Sequence, residues 1–359
     1  MSTQWQPGQL LFVGFQGTTV PRSLARWIAA GKVGGVILFK RNFVEGEPGQ
    51  ARRLCAALHA CAPADAPLLI AIDQEGGRVQ RLRAPWTSWP PMRQVGAVND
   101  LEGTAALGRA LAVELRALGI GLNFAPVVDV DTNPANPVIG DRSFGRTPAL
   151  VAAHAAALIS GMQGGGVAAC AKHFPGHGDT TSDSHLELPR LDHDLERLRA
   201  IEMAPFVAAA RCGVASVMTA HVLFPRLDRA RPATLSPPIM ALLREEIGYD
   251  GAVFSDDLEM KAVADHFSVR DRALGPLEAG CDALLVCSQA DLAEETIRLL
   301  ERAPDRLLEA PLRRIGALKS SYARAPEGAL RDEEGAAEAA EGPPYPAHAV
   351  LAARLGGAR

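Results

Sequence analysis

A single (β/α)8 barrel of the TIM type, followed by a weakly ordered C-terminal tail, is the fold this sequence predicts, and three observations predict it. Short apolar runs alternate with amphipathic stretches of helical length, as a repeated strand–helix unit requires. Most of the apolar runs are continuous rather than alternating, as strands covered on both faces should be. Polar residues stand at the C-terminal end of nearly every run: Asp73, Asp129 with Asp131, Lys172 with His173, His221, and Asp256 with Asp257. Barrel enzymes build their sites on that rim, whereas an open doubly wound sheet, the competing architecture, gathers its site at one switch point. No G-x-G-x-x-G or Walker pattern follows an early strand, and the glycines at 164–166 precede a strand rather than follow one.

In chain order, strands are expected at 10–14, 35–39, 68–72, 122–128, 167–171, 215–219, 252–255 and 283–287. Between and after them, helices are expected at 21–30, 50–60, 101–118, 148–162, 194–211, 237–246, 270–279 and 291–302. Pro237 and Pro238 suit a first helical turn, with Ser236 as N-cap. The barrel is expected to span 1–324. The Ala-, Glu-, Pro- and Gly-rich stretch 325–359 reads as a tail with one helix near 347–354.

The chain has 359 residues, is 48% apolar and carries a net charge of −4, so a large core is available. The mildly acidic balance argues against nucleic acid or an anionic membrane as partner. Six cysteines are scattered without a C-x-x-C pair, which fits thiols in a reducing compartment. The N-terminus lacks a basic n-region, and no apolar run is long enough to span a bilayer. A soluble, cytoplasmic protein is expected; the sequence leaves the oligomeric state open, with a monomer favoured.

The densest concentration of chemistry is Cys170 to His185, CAKHFPGHGDTTSDSH. A buried strand delivers Lys172 and His173, and Pro175, Gly176 and Gly178 open a loop. Asp183 and His185, two apart on extended backbone, point to one side. A carboxylate on one imidazole nitrogen fixes the tautomer, so the other nitrogen can give and take a proton. A surface turn with an exposed histidine is the alternative. Asp256, at the end of the seventh strand, is placed as a nucleophile must be, or else it caps the next helix; Asp257 is left as cap or orienter. Lys172 suits a ligand donor, or a structural ion pair with a rim carboxylate such as Asp129. Asp73, followed by Gly76-Gly77, Arg78 and Arg81, suits a pocket that grips hydroxyl groups. Arg142 is a donor in the loop after strand four, or a loop ion pair with Asp141 or Asp131. His221 is a ligand contact or a satisfied core histidine. His173, His177 and His185 do not have the helical H-E-x-x-H spacing, so no metal is expected.

Taken together, Lys172-His-Phe-Pro-Gly-His-Gly178, Asp183-Ser-His185 and Phe254-Ser-Asp-Asp-Leu258 resemble the bacterial β-N-acetylhexosaminidases of glycoside hydrolase family 3, the cytoplasmic cell-wall-recycling enzymes. Ile72-Asp-Gln-Glu-Gly-Gly-Arg-Val-Gln-Arg81, Asp141-Arg-Ser-Phe-Gly145 and Met218-Thr-Ala-His221 follow the same pattern, and the resemblance runs from Gly8 to Lys319. It implies a retaining exo-β-N-acetylglucosaminidase acting on peptidoglycan-derived muropeptides, with no metal or organic cofactor. Asp256 would form a covalent glycosyl-enzyme intermediate. His185, polarised by Asp183, would be the general acid/base on a loop that closes over the substrate. Asp73, Arg81, Arg142, Lys172 and His173 would bind the non-reducing N-acetylglucosamine, with His221 beside them. A histidine would thus replace the acid/base carboxylate of the usual retaining pair; Glu75 and Glu187 are the nearest carboxylate alternatives. Phosphorolysis on the same scaffold, a non-catalytic sugar binder, and substrate assistance by the acetamido oxygen are the competing readings.

Overall fold

The structure, a computed structural model, describes residues 6–184, 186–324 and 342–357. Its centre is a closed barrel of eight parallel strands. These are β1 (Leu11–Val13), β2 (Gly35–Leu38), β3 (Leu69–Ile72), β6 (Leu122–Asn123), β7 (Ala168–Phe174), β8 (Ser216–Thr219), β9 (Ala252–Asp257) and β10 (Ala283–Val286). A short antiparallel hairpin, β4 (Gln74–Gly76) with β5 (Val79–Gln80), projects directly from the end of β3. The barrel strands are buried along almost their whole length, which is why the apolar runs are continuous. Phe12, Phe124 and Phe254 pack edge to face inside, with centroids 4.9 and 5.3 Å apart, so the interior is a packed core rather than a pore.

Each expected strand is present, with instructive differences at the ends. The fourth, expected to 128, stops at Asn123, because Pro126 has no N–H to continue a ladder. The fifth, expected to end at Ala171, runs to Phe174, so Lys172 and His173 belong to the strand itself. The helix expected over 194–211 is two, α6 (Leu195–Ala200) and α7 (Ala204–Arg211), with Pro205 starting the second. Ser236 does not cap α8 (Pro237–Ala241); its hydroxyl donates to Asp228 instead. A π-helical turn over Leu242–Glu246 completes that stretch.

Helices α3 (Met92–Val98), α9 (Lys261–Ala264) and α12 (Glu309–Tyr322) were not among the sequence expectations. The first two are short, and α12 lies beyond the last strand–helix repeat. The long helix α4 (Leu101–Arg116), capped by Asp100 accepting from the Gly103 N–H, packs heavily on α5 (Pro148–Gly164). The tail helix expected near 347–354 is present at Pro346–Leu355, docked against α4 with His348, Ala352 and Leu355 buried. Residues 325–341 of the tail lie outside the described residues. No helix among the described residues is long and apolar enough to cross a membrane.

Candidate active site

At the C-terminal mouth of the barrel lies a cavity of about 300 Å³. Its lining gathers Asp73, Arg81, Arg142, Lys172, His173, Asp183 and Asp256, residues from four strand ends far apart in sequence. Lys172, near the end of β7, is buried and donates to Asp73 at 2.9 Å and to Glu75 at 2.7 Å. The partner rim carboxylate is therefore not Asp129, which lies under His173. Arg81 donates to the second oxygen of Asp73 at 3.1 Å. Arg142 forks onto Glu75 with two contacts of 2.8 Å, so its carboxylate partner is neither Asp141 nor Asp131. Glu75, considered from sequence only as a stand-in acid, is the hub of this wall.

The charges keep one another ionised. Burial by itself would raise the Asp73 carboxyl, but Lys172 and Arg81 outweigh it and hold the group well below the usual carboxylate range. Burial likewise opposes Glu75, and Arg142 with Lys172 hold it down at about 2. Burial would drain the proton from Lys172, yet Asp73 and Glu75 raise it above its ordinary value. A carboxylate oxygen accepts more than one hydrogen bond, so Asp73 can hold its cations and still take hydroxyl donors from a ligand. Glu75 was within reach of sequence reasoning: it stands two residues from Asp73 on extended backbone, hence on the same side.

The second wall is organised by Asp129, fully buried behind β7. It accepts from the backbone N–H of His173 and, at 2.7 Å, from that of His177. Its second oxygen takes the His173 Nδ1–H at 2.7 Å, which fixes Nδ1 as the protonated nitrogen and leaves Nε2 on the far side of the ring. His177 then holds the loop. Its Nδ1 meets the Thr180 hydroxyl at 2.9 Å and its Nε2 meets the Ser184 hydroxyl at 3.1 Å. Burial, with His173 beside it, pushes His177 down to about 4, so the ring is neutral at ordinary pH. Asp179 anchors the loop to its surroundings through Thr132, His193 and Arg197. Gly178 permits the close approach: a Cβ there would lie 1.8 Å from the Val130 carbonyl oxygen. His177 and Asp179 shape the loop, and Asp183 lines the cavity from it. His185, expected to work with Asp183, lies outside the described residues.

Asp256 and Asp257 come from the end of β9, both partly exposed to the cavity. One Asp256 oxygen accepts the Asp257 backbone N–H at 2.8 Å. The Asp257 carboxyl accepts from the Glu259 N–H and faces the Cys287 thiol. Burial, then the charge of Glu259, pushes it up to about 7. The two neighbouring aspartates therefore sit in unlike surroundings, a difference their identical residue type hides.

His221 is corrected by the structure. It is fully buried, does not line the cavity, and has both ring nitrogens engaged, with the Thr234 hydroxyl at 2.8 Å and the Asp257 carbonyl at 3.0 Å. It is the satisfied core histidine, and it supports the backbone that carries the aspartate pair. Arg78, named with Arg81 beside Asp73, lines the cavity from the hairpin. It bonds Asp141 and the carbonyls of Val138 and Ile139, latching the hairpin to the loop after β6. Among the described residues no group of three or more His, Cys, Asp or Glu is arranged to hold a metal ion.

Known proteins resemble this chain over nearly the whole barrel. Residues 3–317 match the model of the glycosyl hydrolase family 3 N-terminal domain. A protein named beta-hexosaminidase from Thiobacillus denitrificans is 41% identical over 338 residues, 92% of this chain and 91% of that protein. One of the same name from Bordetella parapertussis is 42% identical over 326 residues, covering 88% and 89% of the two chains. Among solved structures, NagZ from Neisseria gonorrhoeae, in its native form, superposes with a TM-score of 0.81 at 34% identity over 97% of both chains. The glycoside hydrolase family 3 β-N-acetylglucosaminidase from Paenibacillus sp. str. FPU-7 gives a TM-score of 0.87 at 39% identity, over 99% of this chain and 68% of that one.

Proposed function

Because this chain belongs to glycosyl hydrolase family 3 and is a glycoside hydrolase, we propose that its cavity removes a terminal N-acetylglucosamine with retention of configuration. A complex of the Neisseria gonorrhoeae NagZ with N-trifluoroacetyl-D-glucosamine supports an amino sugar as ligand of this type of site. In this reading Asp73, Arg81 and Lys172 hold sugar hydroxyls, while His173, oriented by Asp129, and Arg142 with Glu75 complete the wall. Peptidoglycan-derived muropeptides in the cytoplasm are the proposed source of the sugar.

The reaction runs in two displacements. The Asp256 carboxylate attacks C1, forming an ester as the glycosidic C–O bond breaks, and His185 gives its proton to the departing oxygen. Water then loses a proton to His185 and attacks C1, releasing Asp256. Asp183 holds the His185 tautomer and favours its protonated form. The histidine takes the part that a second carboxylate plays in the common retaining arrangement. Glu75, the nearest carboxylate alternative, is a poor acid, since Arg142 and Lys172 hold it ionised.

The observation that carries this reading is the shared cavity of Asp256, Asp183 and the Lys172–Asp73–Arg81 cluster. Its test is a 5-fluoro N-acetylglucosaminyl probe followed by peptide mass mapping. The label is expected on Asp256, and Asp256→Ala should abolish turnover of an aryl N-acetylglucosaminide. A label on another residue overturns the assignment. Release of sugar 1-phosphate in phosphate buffer would identify phosphate, rather than water, as the second-step acceptor.

A further inference from the structure

We propose that the C-terminal helix Pro346–Leu355 braces the hairpin that forms one wall of the sugar site, with His348 as the positioning residue through which it acts. The inference rests on the reading of that cavity as the sugar site. The helix comes from the end of the chain and contributes no residue to the cavity, yet its buried face reaches the hairpin's supports in a few steps.

His348 is buried, and its Nδ1 lies 2.8 Å from a carboxylate oxygen of Glu114, itself buried on α4. The ring stacks on Tyr345 at 5.0 Å and packs against Trp89 at 5.7 Å. Burial raises the Glu114 carboxyl, and the His348 contact opposes that rise. An aromatic cluster tied to a buried carboxyl contact in this way has a defined geometry rather than a merely greasy one.

Trp89 is where the brace meets the hairpin. Its carbonyl accepts the Gly77 N–H at 2.9 Å, and its N–H donates to the Gln80 side chain at 3.1 Å. Gln80 in turn donates to the Thr87 carbonyl at 2.7 Å and to the Leu82 carbonyl at 2.8 Å. Gly76 and Gly77 hold positive φ angles of 104° and 55°, which only glycine adopts readily, and a Cβ there would lie 2.6 Å from the Pro90 carbonyl oxygen or 2.8 Å from the Pro91 Cβ, so the turn sits directly against the segment that follows Trp89. Glu75, Arg78 and Arg81 lie within two residues of that turn or of Gln80. The hairpin has only two short strands, too few to be stable alone. Beside the Arg78 latch to the loop after β6, it therefore takes part of its rigidity from the segment 86–89, and that segment is packed from behind by His348.

The test uses the full-length protein with His348→Ala and two companions, His348→Gln, which can keep a donor to Glu114, and Val350→Ala on the exposed face of the same helix. KM for an aryl N-acetylglucosaminide and Kd for N-acetylglucosamine are measured beside kcat, with hydrogen exchange at the amides of Gly77, Arg81 and Leu82 and of β8. His348→Ala is expected to raise KM and Kd by roughly 3- to 10-fold with kcat little changed. Exchange should speed up in the hairpin but not in β8, His348→Gln should recover most of the loss, and Val350→Ala should match the parent. If His348→Ala does not fold, Glu114→Gln reads the same pair with less change of shape. Unchanged KM and hairpin exchange overturn the proposal, as does loosening that is equal in the hairpin and β8. A parent enzyme that neither binds nor cleaves the amino sugar would refute the sugar-site reading, and the exchange data would still decide the brace.

Discussion

Replacing Glu75 by glutamine would weaken the acceptor of three N–H contacts at once, two from Arg142 and one from Lys172, and leave two cations facing each other across the cavity wall. Breaking a buried charge pair costs more than the pair contributed, because the remaining charge stays desolvated; the loss is about 3 kcal/mol. Glu75→Gln is therefore expected to lower Tm by roughly 5 °C or more. It should also reduce kcat/KM by about 10- to 100-fold, since Lys172 and Asp73 lose their common alignment. Thermal unfolding and steady-state kinetics on one preparation check both; a variant as stable and active as the parent would remove Glu75 from its place as hub. At this scale the sequence was legible where a residue's place on a strand end also fixes its place in space. Asp73, Lys172 and Asp256 stand on strand ends, so the rim rule of a barrel places them together. Partner identity was not legible: Arg142 reaches Glu75 across 67 positions, past the nearer Asp141 and Asp131. His221 read equally as ligand or core, and only its two occupied nitrogens decide for the core.

The loop after β7 is an element whose position is set by backbone contacts more than by side-chain packing. Asp129 takes the N–H groups at both ends of the 173–177 turn, and Gly178 lies against the Val130 carbonyl where no Cβ fits. Gly178→Ala must move one backbone away from the other, carrying the 180–184 segment with it. A displacement of the order of 1 Å near reacting groups costs about 10²-fold in rate, and that is the expected fall in kcat/KM. Because Gly178 is not part of the barrel wall, Tm should fall far less than in Glu75→Gln. Activity equal to the parent's would show that the loop tolerates the shift. Elements were read well where the hydrophobic period is unbroken, as in β3, β8, β10 and α4. They were misread where one proline or one side-chain bond intervenes: Pro126 ends a strand early, Pro205 divides a helix, and Asp228 takes the Ser236 hydroxyl from its cap. The hairpin β4–β5 was missed because it is too short to show a period, though Gly76-Gly77 marked its turn.

For the molecule as a whole, two groups on opposite sides of the site pull stability in opposite directions with pH. Asp257 is raised to about 7 by burial and Glu259, so between its unfolded value of ~4 and about 7 the native state holds a proton that the unfolded chain lacks. Its contribution is full below ~4 and is lost as pH rises through 7. His177 is lowered to about 4 by burial and His173, so between about 4 and its unfolded value of ~6.5 the unfolded chain holds the extra proton. Its contribution is full above ~6.5 and is lost as pH falls through 4. Between pH 4.5 and 6 the two slopes are one proton each and of opposite sign, so they cancel. Other shifted groups, among them the raised Glu114, Glu202 and Asp282, also shape the parent's curve, but they drop out when a variant is compared with the parent. Relative to the parent, Asp257→Asn should gain a slope of about +1.4 kcal/mol per pH unit over that window, and His177→Gln about −1.4. Urea unfolding at several pH values from 4.5 to 6 measures this directly. Parallel curves for parent and variants would show that neither group changes its proton affinity on folding. Opposite slopes would locate a protonated carboxyl and an unprotonated imidazole, both uncharged, within a single site.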